Sequence, residues 1–375
     1  MKSKLFLAAI AVAMMFASCN NEEVPVIDPG KGALAVKIVT PGTANRATQA
    51  PTTGAVYADV DPAGNHRIFF VDAGDNVIRS IALDPTQAID GEGQVISDVV
   101  ASWRVYVVLN APTSVNTLTT LTAIKAAGGA VTGLTSLEAN GFVPMSNHTD
   151  AASMVPNTGG TAGTPAGDAD YQAVIEVSPA ISRLEVTQIS TGVFYNTATL
   201  VYTRIVSFDV NGVYVDGYSP NYTFAGAGSG TLAEMDQTFA NTGLGDNGPW
   251  SSNATPAVTP TPAGTVWAYN LAAGAAPRLI IPVTNVVTQT SLDNAAWSAS
   301  SAPDTSVRYL TVTWATNAAG TNALSTFSRA NVYQVANIMF SADKLHSTPN
   351  PIIADTRVEV TVRQWTLNPT WAVVQ

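Results

Sequence analysis

Over most of its length the chain alternates short apolar, β-branched runs with clusters of Gly, Asn, Asp and Pro. Runs this short suit strands better than helices, and their regular punctuation by turn-forming residues is the pattern of an all-β sandwich. Arg67 to Val71 and Val77 to Ala82 read as a hairpin about Asp72 to Asn76. Ser102 to Leu109 reads as a strand, as do Ala173 to Val177 and Ser182 to Thr187. Arg204 to Val210 and Val213 to Asp216 read as a second hairpin, because Asn211-Gly212 supplies the positive φ angles of a type I′ turn. Later strands are expected at Thr265 to Tyr269, Arg278 to Val283, Val307 to Trp314, Asn331 to Phe340 and Thr356 to Gln364.

Other stretches break the pattern. Val115, Leu118, Leu121 and Ile124 stand at helical spacing, and Thr135 to Glu138 has the form of a capping box, so a small helical insertion is expected there. Asn157 to Asp168 and Ser219 to Gly264 are polar and rich in Gly, and read as surface excursions. Trp103, Trp267 and Trp314 fall inside strands and read as core. Trp250, in the second excursion, is a candidate exposed contact. Arg183 reads as a charge at a strand edge. With 375 residues the chain is long for one core and ample for two.

The beginning of the chain reads as an export signal. Lys2 and Lys4 precede an apolar run from Leu5 to Phe16, which at roughly a dozen residues is short of the ~20 that span a bilayer. Phe16-Ala17-Ser18-Cys19 resembles a bacterial lipobox, in which cleavage leaves a cysteine that carries lipid on its sulfur and its new amino terminus. The alternative is a plain signal peptide with an incidental thiol. Cys19 is the chain's single cysteine, so the exported protein folds without a disulfide of its own.

Composition narrows the chemistry. The net charge is −10, and no basic patch is available to neutralise phosphates, which argues against nucleic acid as a partner. His66, His148 and His346 lie far apart, without the spacing of zinc ligands. The sequence has no nucleophile elbow, phosphate-binding loop or dinucleotide fingerprint, and nothing singles out a pair of carboxylates. Asp72 and Asp75 lack the ligand spacing of a calcium loop and read as a turn. No catalytic residue, metal or cofactor is expected.

The two ends of the chain match each other. Leu34, Val36 and Ile38 alternate in Ala33 to Val39, and Val358, Val360 and Val362 alternate near the other end. Arg46 follows the first strand in a Gly-, Thr-, Ala- and Asn-containing stretch suited to proteolysis. If that strand left after cleavage, it would expose an apolar groove flanked by unpaired backbone groups, a template for a strand from another chain. Refilling it would contribute on the order of 10 kcal/mol before ordering costs, and repetition head to tail would give an open filament.

In this order the blocks resemble the fimbrillin superfamily of Bacteroidales, the FimA-like and Mfa-like pilins. The blocks are the lipobox at Cys19, Arg46 after an N-terminal strand, Val105 to Pro112, Phe142 to Asn147, the Arg183 strand, Arg329 to Ile338 and Val358 to Trp365. The resemblance covers nearly the whole chain. It implies an all-β fold with a minor helix, as two tandem transthyretin-like β-sandwich domains. It also implies a signal peptide over 1–18, a lipidated propeptide over 19–46, an N-terminal sandwich over 47–180 and a C-terminal sandwich over 181–375. Cys19 is then the acylated residue, Arg46-Ala47 the bond cut by an arginine-specific surface protease, and Leu34, Val36 and Ile38 the displaced strand. The donor lies among Val358, Val360, Val362, Trp365, Trp371 and Val373, and which part of it inserts is left open. The implied partners are other pilin subunits, the outer membrane through the lipid before cleavage, and a host or bacterial surface ligand. The alternatives are an anchor or tip subunit, or a monomeric surface lipoprotein that binds a glycan through Ser219 to Gly264.

Overall fold

The computed structural model describes residues 31–39, 60–90, 93–134, 142–158, 163–235, 244–252, 256–260, 266–292, 295–317, 322–349 and 356–364. Its first strands are β1 (Gly32–Val39), β2 (Arg67–Val71), β3 (Val77–Ala82), β4 (Gln94–Val99) and β5 (Arg104–Leu109). After a 3-10 turn and the helix α1 (Leu121–Ala126) come β6 (Gly128–Ala130), β7 (Met145–Asn147), β8 (Ala152–Ser153), β9 (Val155–Pro156) and β10 (Tyr171–Pro179). These strands, β6 aside, form a sheet of order β3-β2-β5-β7-β10-β1-β4, with β8 on β5 and β9 on β10. β10 serves both leaves: Tyr171 to Glu176 pair with β1, and Val177 to Pro179 pair with β7. A strand that passes from one leaf to the other in this way closes the corner of a sandwich.

The second half contains β11 (Ser182–Val186), β12 (Ile189–Thr191), β13 (Val193–Asn196), β14 (Val201–Asp216), β15 (Asn221–Thr223), β16 (Gly228–Ser229), β17 (Leu244–Ser251) and β18 (Ala257–Val258). It continues with β19 (Trp267–Leu271), β20 (Gly274–Ala275), β21 (Arg278–Leu292), β22 (Arg308–Ala315), β23 (Thr326–Phe327), β24 (Asn331–Val335), β25 (Ile338–Phe340), β26 (Thr356–Glu359) and β27 (Thr361–Gln364). One leaf is β19-β11-β24-β27, continued by β18-β12-β25. The other is β13-β14-β21-β22-β26, with β17 also on β14. Trp267, Trp314, Phe208, Tyr333 and Phe327 fill the space between them, and the protein is all-β with sandwich architecture.

The β2–β3 hairpin forms as expected, and the Asp72 carboxylate accepts from the backbone N–H groups of Gly74 and Asn76 within its turn. The helical insertion also forms. Thr120 caps α1 by accepting from the N–H of Ala123, and Val115, Leu121 and Ile124 are buried. Thr135 to Glu138 lie outside the described residues.

Four expectations are corrected. The hairpin at Asn211-Gly212 is absent: β14 runs through both residues as one 16-residue strand, held by β17 on one edge and β21 on the other. Its register shifts beside Gly212, where a Cβ would stand 2.2 Å from the Tyr214 ring, so the glycine serves a bulge in place of a turn. The excursion from Ser219 to Gly264 contains β15 to β18, and Trp250 is half-buried edge-on against Trp267 at 5.3 Å, not an exposed contact. Arg183 is not at a strand edge. β11 lies between β19 and β24, and the buried Arg183 donates from Nε to Glu185 Oε1 at 2.7 Å. Finally, Ala166, inside the stretch read as an exposed loop, and Ala169, just after it, are buried on the outer face of β1 against Ala35.

Candidate functional site

β1 is short, yet it is held on every side. Six of its residues pair in parallel with β10, and four pair antiparallel with β4, so both of its backbone edges are used. Period-two alternation sends Leu34, Val36 and Ile38 to the core, where each is at most 1% exposed. The small residues Ala33 and Ala35 face the other way and meet Ala166 and Ala169. Asp170 fixes the start of the strand by accepting from the N–H of Ala33 at 2.7 Å. At Gly32 a Cβ would stand 2.7 Å from the Tyr171 ring, so only glycine lets β1 enter this close to β10.

Because β1 is β4's only strand partner among the described residues, removing it would leave β10 and β4 facing each other across a slot one strand wide. With strands spaced at about 4.8 Å, that slot is about 10 Å across. It would be lined by unpaired N–H and C=O groups and by the pockets that Leu34, Val36 and Ile38 fill. Three aliphatic side chains of this size, fully buried, are together worth on the order of 6 kcal/mol. The chemistry available is strand binding.

At the other end of the chain, Thr356–Glu359 pairs in parallel with β22, and Thr361–Gln364 pairs antiparallel with β24. The expected single strand is therefore two, and the chain changes leaf at Val360, which is 4% exposed and donates its N–H to Ala315 O. Val358 lies opposite Trp314, and Val362 opposite Tyr333, in register. Among the described residues each segment has one strand neighbour, so both form margins of their sheets. Of the remaining expected site residues, Cys19, Arg46, Ala47, Trp365, Trp371 and Val373 lie outside the described residues. Among the described residues no group of three or more His, Cys, Asp or Glu could hold a metal, and no helix is long and apolar enough to cross a membrane.

A junction between the two halves escaped the sequence reading. Arg329, just before β24, donates to Pro179 O, Phe224 O, Ser178 O and the hydroxyls of Ser146 and Ser178, all within 3.2 Å. Desolvation lowers its affinity for a proton, partly offset by the nearby Tyr106. Gly226 makes room for it, since a Cβ there would stand 2.0 Å from Arg329 Cδ. β6 from the first half pairs with β15 from the second, and Phe224 and Ala225 donate to Ala127 O and Lys125 O. A signal existed in the glycines of this region, but the partners of Arg329 are mainly backbone oxygens distant in sequence. A second such feature is Glu185, whose carboxylate accepts from Arg183 and from Gln334 Nε2, joining β11 to β24.

No family model and no curated protein matches the chain. Solved structures do. A candidate cell adhesion protein from Parabacteroides distasonis aligns over 90% of this chain and 99% of its own, at 13% identity and a TM-score of 0.55. One from Bacteroides eggerthii aligns over 89% and 96%, at 14% identity and 0.52. The fimbrilin FimA of Porphyromonas gingivalis aligns over 89% and 97%, at 13% identity and 0.47. What this chain shares with the first two is the fold.

Proposed function

We propose that the chain is a fimbrial subunit that is exported as a lipoprotein, cut at the cell surface and polymerised by strand exchange into adhesive filaments. In this reading Cys19 carries the lipid that holds the precursor at the outer membrane. An arginine-specific protease cuts between Arg46 and Ala47, which separates the 19–46 propeptide, including β1, from a body of two sandwiches over 47–180 and 181–375. The C-terminal segment of another subunit then takes the place of β1. No catalytic role, metal or cofactor enters the scheme.

The observation that carries the reading is the seat of β1. A strand buried on its inner face, partly covered on its outer one and paired on both edges, yet separated in sequence from the body by the segment that contains Arg46, is a removable core element. Its loss creates a defined vacancy for one extended chain. The marginal positions of β26 and β27 support the second half of the exchange, because peeling either from its sheet breaks one ladder and not two. The names of the neighbours with TM-scores above 0.5, candidate cell adhesion proteins, agree with a surface role.

The test is digestion of the purified precursor with an arginine-specific protease, followed by electrophoresis without heating. A ladder of multimers is expected from the native chain, and none from Arg46→Ala. A cut chain that stays monomeric with its propeptide still bound would overturn the proposal.

A further inference from the structure

The outer end of the second half carries an arm that the strand-exchange scheme leaves without a role. It consists of β13, the start of β14, the end of β21 and the segment 295–304, which returns along β21. Outward of Ile205 on β14 and Val286 on β21, Ser291 is the one buried residue among those described in these three strands. The arm adds little to the core but displays aromatic rings. Tyr195 and Tyr202 are cross-strand partners, stacked at 4.4 Å between centroids, and Tyr195 on the outer strand is 37% exposed. Two residues along the same face of β14, Arg204 donates from Nε and Nη2 to Gln289 Oε1, and Trp297 lies with its ring centroid 4.2 Å from the guanidinium.

These groups are fixed in place. Ser298, next to Trp297, donates its N–H to Thr290 O and accepts from the N–H of Thr290 on its Oγ. Ser301 makes the same two bonds with Thr288. Gln289 Nε2 donates to Ser300 Oγ at 3.1 Å. The surface is thus a preset row of ring planes bordered by amide and hydroxyl groups. Among the described residues of the arm the charges are Arg204, already engaged by Gln289 and Trp297, and Asp304, which pairs with Arg308.

We propose that this arm is a binding platform for a neutral oligosaccharide. A pyranose presents an apolar C–H face and a rim of hydroxyls. The face complements the electron-rich planes of Tyr and Trp, and the rim complements the Gln, Ser and Thr groups beside them. With Arg204 and Asp304 both engaged, the described residues of the arm offer no unengaged cation to phosphate, and ring planes held before the ligand arrives lower the ordering cost of binding. The site is distinct from the β1 slot and does not depend on the filament reading.

The test uses the purified, uncut full chain on a microarray of neutral and sialylated glycans, with affinities then measured by titration of the responding glycan. The native chain should bind at least one neutral glycan. Tyr195→Ala and Trp297→Ala should each weaken that binding tenfold or more with unchanged melting temperatures, and Trp297→Phe should retain part of it. An empty array, binding confined to sialylated glycans, or binding that neither alanine variant weakens would overturn the proposal. So would glycan-free self-association that both alanine variants abolish, which would assign the arm to a second copy of the chain.

Discussion

Replacing Leu34 by alanine separates a strand that belongs permanently to the fold from one that only holds its place. Leu34 is 0% exposed, opposite Tyr171 on β10 and Ile96 on β4. Leu→Ala in a packed core costs about 2–5 kcal/mol, most where the surroundings cannot collapse into the cavity. Here β1 is pinned on both edges, so a loss of about 3–4 kcal/mol is expected in the precursor. At about 2–4 °C per kcal/mol, the transition of the N-terminal half should fall by about 6–16 °C. Calorimetry of the uncut variant reads this directly. Filaments assembled from the same variant after cleavage should resist heat and detergent as native filaments do, because β1 is no longer in them. Equal weakening of precursor and filament would refute strand exchange, and an unchanged precursor would refute the account of β1 as a core strand.

Arg329→Met should uncouple the two halves. Its hydrogen bonds to Ser146, Ser178 and Pro179 cross the junction, and their loss should cost about 2–3 kcal/mol, seen as a broadened or split calorimetric transition. His66 should make stability depend on pH. It accepts from the N–H of Asn110 on Nδ1 and donates from Nε2 to Asp61 O, so it is held neutral, and burial lowers its pKa below the usual 6.5. Its contribution is present above that value and lost as pH falls through the lowered one, so melting temperatures should drop as pH falls below about 6.5, and His66→Gln should flatten that part of the profile. Deleting residues 366–375, while leaving β26 and β27 in place, should keep the fold but prevent multimers after cleavage, as read on an unheated gel.

Strands with regular alternation or dense β-branching were legible in the sequence: β1, the β2–β3 hairpin, β5 and β22 lie close to their expected positions. Asn211-Gly212 misled because Asn-Gly has the chemistry of a turn, whereas the residues on either side continue as strand and find partners on both edges. Local turn preference lost there to long-range pairing. Arg183 was read as an edge charge from its type alone. The sign of burial was Glu185, two residues on and so on the same face, where it can neutralise the charge inside. The leaf change at Val360 could not be read from three alternating valines, because it depends on which sheet margins lie open nearby. Of the proposed site, the vacancy was legible as alternation in Leu34, Val36 and Ile38, but its two-sided pairing was not. Arg329 was invisible for a related reason, since its contacts are oxygens brought together only by the fold.

The central claim is that β1 leaves, and the N-terminus of the protein in shed surface filaments tests it most directly. Mass spectrometry should find a chain that begins at Ala47, without β1 and without lipid, in multimers. A lipidated chain that begins at Cys19 and retains Leu34, Val36 and Ile38 within those multimers would contradict it.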